Sequence, residues 1–203
     1  MRTLRIYPSS INDRFISQAV EALRQGDVII YPTDTCYAFG CDALNPRAIE
    51  QVCRIKGINP DKQELSVVCS DISMAADYAR IDNRAFPILR HYLPGPFTFI
   101  LPALSRLPRA FRSRRSVGIR VPHNSIALRL ASELGNPLLS ASVPFDPDSS
   151  GIILPQQLAD DYSPDVSLVI DGGEGSPSLS TVVDLRDSSS PEIIRQGIGQ
   201  FDI

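Results

Sequence analysis

The chain has 203 residues, 43% hydrophobic and 21% charged, with a formal net charge of −3, the balance of a soluble globular protein with a sizeable core. No apolar run approaches the roughly 18 residues of a membrane span, and the opening MRTLRIYPSS has no apolar h-region, so neither a span nor a signal peptide is read and cytoplasmic residence is expected. The charge is uneven: residues 140–203 hold eleven acids against Arg186 and Arg195, a net of −9, which leaves +6 on residues 1–139.

LRIY (4–7) reads as a short strand. NDRFISQAVEALRQG (12–26) carries apolar residues at 15, 16, 19, 20 and 23, a helical stripe stopped by Gly26. DVIIY (27–31) is a strand that ends at Pro32, and a second apolar patch ends at Gly40. Asn45 and Pro46 open a helix through AIEQVCRIK as N-cap and first-turn residue. LSVVC (65–69) is a strand, Ser70 or Asp71 caps a helix over ISMAADYA, and residues 82–92 are helical despite Pro87. FTFIL (97–101) and VGIRV (117–121) are strands, and Asn124 caps SIALRLASELG, which stops at Gly135. PLLSAS (137–142), VSLVI (166–170), STVVDL (180–185) and EIIR (192–195) complete the strands. Strands and helices alternate to residue 142 and strands dominate after it. The pattern predicts an α/β (α+β) fold over residues 1–203, with helices flanking a mixed parallel and antiparallel sheet.

The chemistry-bearing residues gather where strands end. Cys36, Cys41, Cys53 and Cys69 form no CxxC pair and lie far from His91 and His123, so no metal site is read and buried, reduced thiols are expected. There is no nucleophile elbow and no GxxxxGK[ST] phosphate loop. In YPTDT, Pro32 cannot continue a central strand. Thr33 and Thr35 then offer hydroxyls where ligands bind in open α/β sheets, although a turn satisfied by its own side chains is an equal reading. Pro94-Gly95-Pro96 sets a rigid turn before Thr98. Arg120, inside the apolar strand GIRVP, needs an anion if it points inward, and Arg195 in IIRQGIG poses the same question. RLPRAFRSRRSVGIR (106–120) holds six arginines and no acid. Arg112, Arg114, Arg115 and Arg120 are either an anion or RNA surface or, more simply, a solvated loop.

In order along the chain, YPTDTCYAFGCDA, RIK (54–56), LPGPFTFIL, GIRVP, PLLSAS and STVVDL…IIRQGIG resemble the YrdC-like family, the threonylcarbamoyl-adenylate synthase domain of tRNA modification. The resemblance spans nearly the whole chain. It implies an open twisted sheet with a concave basic face, and an enzyme that joins L-threonine, bicarbonate and ATP, with Mg2+, into threonylcarbamoyl-AMP and pyrophosphate. It also implies roles. Arg54 and Lys56 would be the catalytic cation pair. Thr33, Thr35, Thr98 and Ser140 would bind substrate, and Ser142, Ser180 and Arg195 the nucleotide.

Four departures point to the YciO-like branch. Phe39 replaces a leucine and would enlarge a wall of the pocket. The Lys-x-Arg pair is exchanged to Arg54-x-Lys56. The Ser-Ala-Asn signature becomes Ser142-Val143-Pro144, and GINPDKQELSVVC replaces an Arg-Pro…Pro-Leu phrase. Two alternatives stand beside the synthase. One is a module on the same fold that holds tRNA or double-stranded RNA by phosphate contacts. The other is a paralogue acting on another nucleotide or on modified tRNA. Either the synthase or the paralogue would work beside partner enzymes of tRNA modification.

Overall fold

The computed structural model describes residues 1–59, 61–112, 115–145 and 151–202, without the side chain of Arg112. In chain order the elements are β1 (Arg2–Arg5), α1 (Asp13–Gln25), β2 (Ile29–Tyr31), β3 (Ala38–Asp42), α2 (Pro46–Lys56), β4 (Ser66–Val68), α3 (Ile72–Ala76), α4 (Ala85–Tyr92) and β5 (Phe97–Pro102). They continue as α5 (Arg109–Arg112), β6 (Ser116–Arg120), α6 (Ser125–Leu134), β7 (Leu138–Ser142), α7 (Pro155–Asp161), β8 (Leu168–Asp171), β9 (Thr181–Asp184) and β10 (Glu192–Arg195).

The helix ends follow from local chemistry. The side chains of Asn12, Asn45 and Asn124 accept hydrogen bonds from the first free amides of α1, α2 and α6. Gly26 closes α1 at φ 90°, a left-handed conformation that costs other residues strain.

Among the described residues ten strands join one mixed sheet in the order β1-β8-β2-β3-β7-β4-β6-β5-β9-β10. The β2–β3, β3–β7, β4–β7, β5–β6 and β9–β10 ladders are antiparallel, and the other four are parallel. One face is fully covered: Ile30, Phe39, Val67, Phe99, Ile119, Leu139 and Val183 pack beneath α2, α4 and α7. The other is covered only in part. There α1 (Ile16, Ala19, Val20, Leu23) and α6 (Ile126, Ala127, Leu130, Leu134) bury Ile29, Tyr31, Ala38, Val68, Leu138, Leu168 and Ile170. Each large side chain removed from water there contributes about 1.5–3 kcal/mol. The rest of that face is open and forms the floor of a cavity.

The structure departs from the sequence reading in a few places. β1 starts at Arg2 rather than at residue 4, and β3, α5 and α7 were not foreseen. Phe39 does not line the cavity. Pleating sends Gly40 to the open face and Phe39 to the covered one, where its ring meets Tyr162 edge-on at 4.8 Å. Among the described residues no helix is long and apolar enough to cross a membrane.

Candidate functional site

A cavity of about 840 Å3 opens over β7, β4, β6, β5 and β9. Its floor follows from the register. Gly40, Ser140, Ser66, Gly118 and Ile100 are successive partners across β3, β7, β4, β6 and β5. Four of these five have small or absent side chains where the covered face carries bulk; the Tyr31 ring lies over Gly40, and beyond it the floor is a trough. A Cβ on Gly118 would stand 2.4 Å from Ser66 Oγ and 2.9 Å from Thr98 Cγ2, so both neighbours lean across a strand that has no side chain there.

Among the described residues three cations reach this trough: Lys56, Arg120 and Arg195. Arg120 is buried at 5% exposure on β6, at the point where the cover of α6 ends. Its Nη2 donates to Asp34 Oδ1 at 2.9 Å and to Thr35 Oγ1 at 3.1 Å, while its buried Nε has no hydrogen-bond partner among the described residues. Asp34 is held from its other oxygen by the His123 amide at 2.9 Å. At the opposite wall, Arg195 donates to Ser180 O at 2.9 Å, and the Ser180 and Thr98 hydroxyls are 2.8 Å apart. Burial lowers the pKa of Lys56. Burial and then the like charge of Arg120 lower that of Arg195, so two guanidinium groups face one space without full compensation. An anionic guest removes that repulsion. The remaining walls are largely apolar: Ile58, Leu65, Val143, Phe145, Leu179 and Ile198.

Of the sequence candidates, Lys56, Thr98, Ser140, Ser142, Ser180, Arg195 and Arg120 line this one cavity. Thr33 and Thr35 stand behind it. Thr33 Oγ1 donates to Cys36 O at 2.7 Å and lies 3.0 Å from Thr35 Oγ1, which receives Arg120. The two threonines therefore shape the loop and hold Arg120, rather than opening onto the cavity.

Arg54 corrects the expectation of a cation pair: it is exposed and outside the cavity lining, because residues two apart on α2 point to opposite sides of the helix. Arg120 lies on the concave side with its charge turned inward and paired with Asp34, not in a solvated loop. The described arginines of the arginine-rich segment divide among different partners. Arg106 pairs with Asp77 at 2.8 Å and stacks over Tyr78, and Arg115 is exposed in a left-handed turn at φ 56°. Arg114 and the side chain of Arg112 lie outside the described residues.

Sequence reasoning missed Ser66, Gly118, Tyr31 and Glu64, which become neighbours of the site only through strand register. Ser116 donates to Glu64 Oε2 at 3.1 Å, and Glu64 is the one carboxylate among the described lining residues. Pro144 stands exposed at the rim and brings no donor.

The Sua5–YciO–YrdC family model, described as telomere recombination, matches residues 21–197. The uncharacterized protein YciO of Escherichia coli K12 is 38% identical over 196 residues, covering 96% of this chain and 94% of that protein. Its crystal structure superimposes with a TM-score of 0.89 at 36% identity, over 98% of this chain and 97% of that one. A threonylcarbamoyl-AMP synthase of Vibrio vulnificus is 28% identical over 186 residues, 90% of this chain and 98% of the enzyme. P. abyssi Sua5 complexed with L-threonine matches with a TM-score of 0.86 at 26% identity, over 97% of this chain and 58% of that one. The match of model, sequence and structure along nearly the whole chain shows that it belongs to the Sua5–YciO–YrdC family.

Proposed function

We propose that the cavity binds ATP and L-threonine and that the chain makes threonylcarbamoyl-AMP. Threonine and bicarbonate condense to a carbamate with loss of water. A carbamate oxygen then attacks the α-phosphorus of ATP, and pyrophosphate leaves. The observation that carries this reading is the convergence of Lys56, Arg120 and Arg195 with the hydroxyls of Thr98, Ser140, Ser142 and Ser180 in one hollow large enough for a nucleotide. The reaction needs no protein nucleophile. It needs two substrates held in line and phosphate charge neutralised, which fixed cations and hydroxyls supply.

In this reading Lys56 and Arg195 contact phosphate, and Arg120, already shared with Asp34, orients a carboxylate or phosphate oxygen. The names of relatives, a threonylcarbamoyl-AMP synthase and a Sua5 complexed with L-threonine, support it. Magnesium fits as a passenger on the ATP phosphates rather than as a resident ion. Among the described residues no cluster of three acids, histidines or cysteines could hold it, and Glu64 alone reaches the cavity. The product would serve an enzyme that modifies tRNA in the cytoplasm.

Pyrophosphate release measured with and without threonine and bicarbonate tests the reading. Release that requires both supports it. ATP binding without threonine-dependent release overturns it in favour of another nucleotide-linked reaction. Salt-sensitive retention of tRNA with no ATP binding favours the RNA module instead.

A further inference from the structure

Tyr31 is wholly buried under α1 and α6, yet its phenol oxygen reaches the cavity floor. The ring lies across β3 over Gly40, where an added Cβ would stand 2.5 Å from Tyr31 Cε1. Beyond the glycine the hydroxyl ends 2.9 Å from Ser140 Oγ on β7. Ser140 is half-buried and lines the cavity.

The direction of this hydrogen bond is determined. A buried O–H must be used, and Ser140 is the sole partner of the Tyr31 hydroxyl among the described residues. Tyr31 therefore donates and Ser140 accepts. Burial pushes the Tyr31 pKa up to about 12, so the phenol keeps its proton at any physiological pH. A serine hydroxyl has one hydrogen. Among the described residues Ser140 Oγ has no acceptor for that hydrogen, so it is left to turn towards the cavity that Ser140 lines.

We propose that Tyr31 is a positioning residue whose hydroxyl, reaching across Gly40, fixes Ser140 as a hydrogen-bond donor to a carboxylate or phosphate oxygen of the bound guest. This rests on the function proposed above and adds to it a residue behind the site. Without Tyr31 the Ser140 hydroxyl rotates freely, and its donor is no longer set in advance for the ligand.

The test is titration calorimetry with ATP and, separately, L-threonine on the unsubstituted chain, Tyr31→Phe, Ser140→Ala and the double variant. Tyr31→Phe keeps the ring that packs over Gly40, so its thermal midpoint should stay within a few degrees. The dissociation constant for one of the two ligands should rise about tenfold in each single variant and about tenfold, not a hundredfold, in the double variant. The other ligand should bind unchanged, which a general distortion of β2 would not allow. An additive double variant, equal weakening of both ligands, or unchanged affinity in Tyr31→Phe overturns the inference. If Tyr31→Phe does not fold, Ser140→Ala alone decides: unchanged affinity for both ligands overturns it. An unsubstituted chain that binds neither ligand overturns the proposed function as well, whereas normal binding with an indifferent Tyr31→Phe overturns the inference alone.

Discussion

Arg120 lies between a carboxylate, a threonine hydroxyl and open space. Its ion pair with Asp34 has both side chains at 7% exposure, so removing either partner strands a charge inside the protein. Arg120→Ala should cost about 3–5 kcal/mol of unfolding free energy in urea, far more than the loss of a surface pair. Gly118 is constrained from the opposite direction. Gly118→Ala pushes a methyl into Ser66 and Thr98 and should cost about 1–3 kcal/mol by the same measurement, besides filling the trough. Sequence alone said only that Arg120 would need an anion if it pointed inward. It did not name Asp34, 86 residues away, because that pairing depends on how β6 meets the loop after β2. The row of Gly40, Ser140, Ser66 and Gly118 was hidden for the same reason: small residues in four separate segments mean nothing until register aligns them. Arg54 and Lys56, by contrast, show a limit already present in the helix, since residues two apart do not face the same side and only Lys56 lines the hollow.

Elements with chemical punctuation were the most legible. Asn45 and Asn124 cap the helices foreseen for them, Asp71 rather than Ser70 caps α3, Asn12 caps α1, and Gly26, Gly57 and Gly135 end three of these helices. Asn124→Ala should destabilise the protein by about 1 kcal/mol, read as a shift of the urea midpoint at constant slope, because the Ile126 and Ala127 amides lose their acceptor. Elements without such marks escaped. β3 runs AFGCD, whose short apolar patch merges with the polar loop before it, and its strand character comes from pairing on both sides with β2 and β7. α7 has Pro155 in its first turn but no side-chain cap, and acids crowd its C-terminal end, where they oppose the helix dipole. It forms because Leu158 and Ala159 find cover against the core.

Over the whole molecule, the alternation of strands and helices was enough to indicate a mixed sheet with flanking helices. The hollow was not visible, since its lining runs from residue 56 to residue 198. Burial also gives the protein a characteristic alkaline response. Tyr31 and Tyr37 are each pushed up to about 12 from 10, and Cys69 to about 12 from 9. Between those values the unfolded chain releases protons that the native protein keeps. Their contribution is therefore intact below about pH 9 and lost as pH rises through 12. Unfolding free energy measured from pH 8 to pH 12 should fall by about 1–3 kcal/mol for each tyrosine, and Tyr37→Phe should flatten that slope.

β10 bonds to a neighbour on one side only, and all four of its residues are exposed. It nevertheless supplies Arg195, and with it one wall of the hollow. A selvedge held by a single row of stitches unravels first. Cargo gripped by Arg195 adds a second seam, so deuterium uptake by the amides of residues 192–195 should slow when ATP is present, and the rim of the sheet should register occupancy before its middle does.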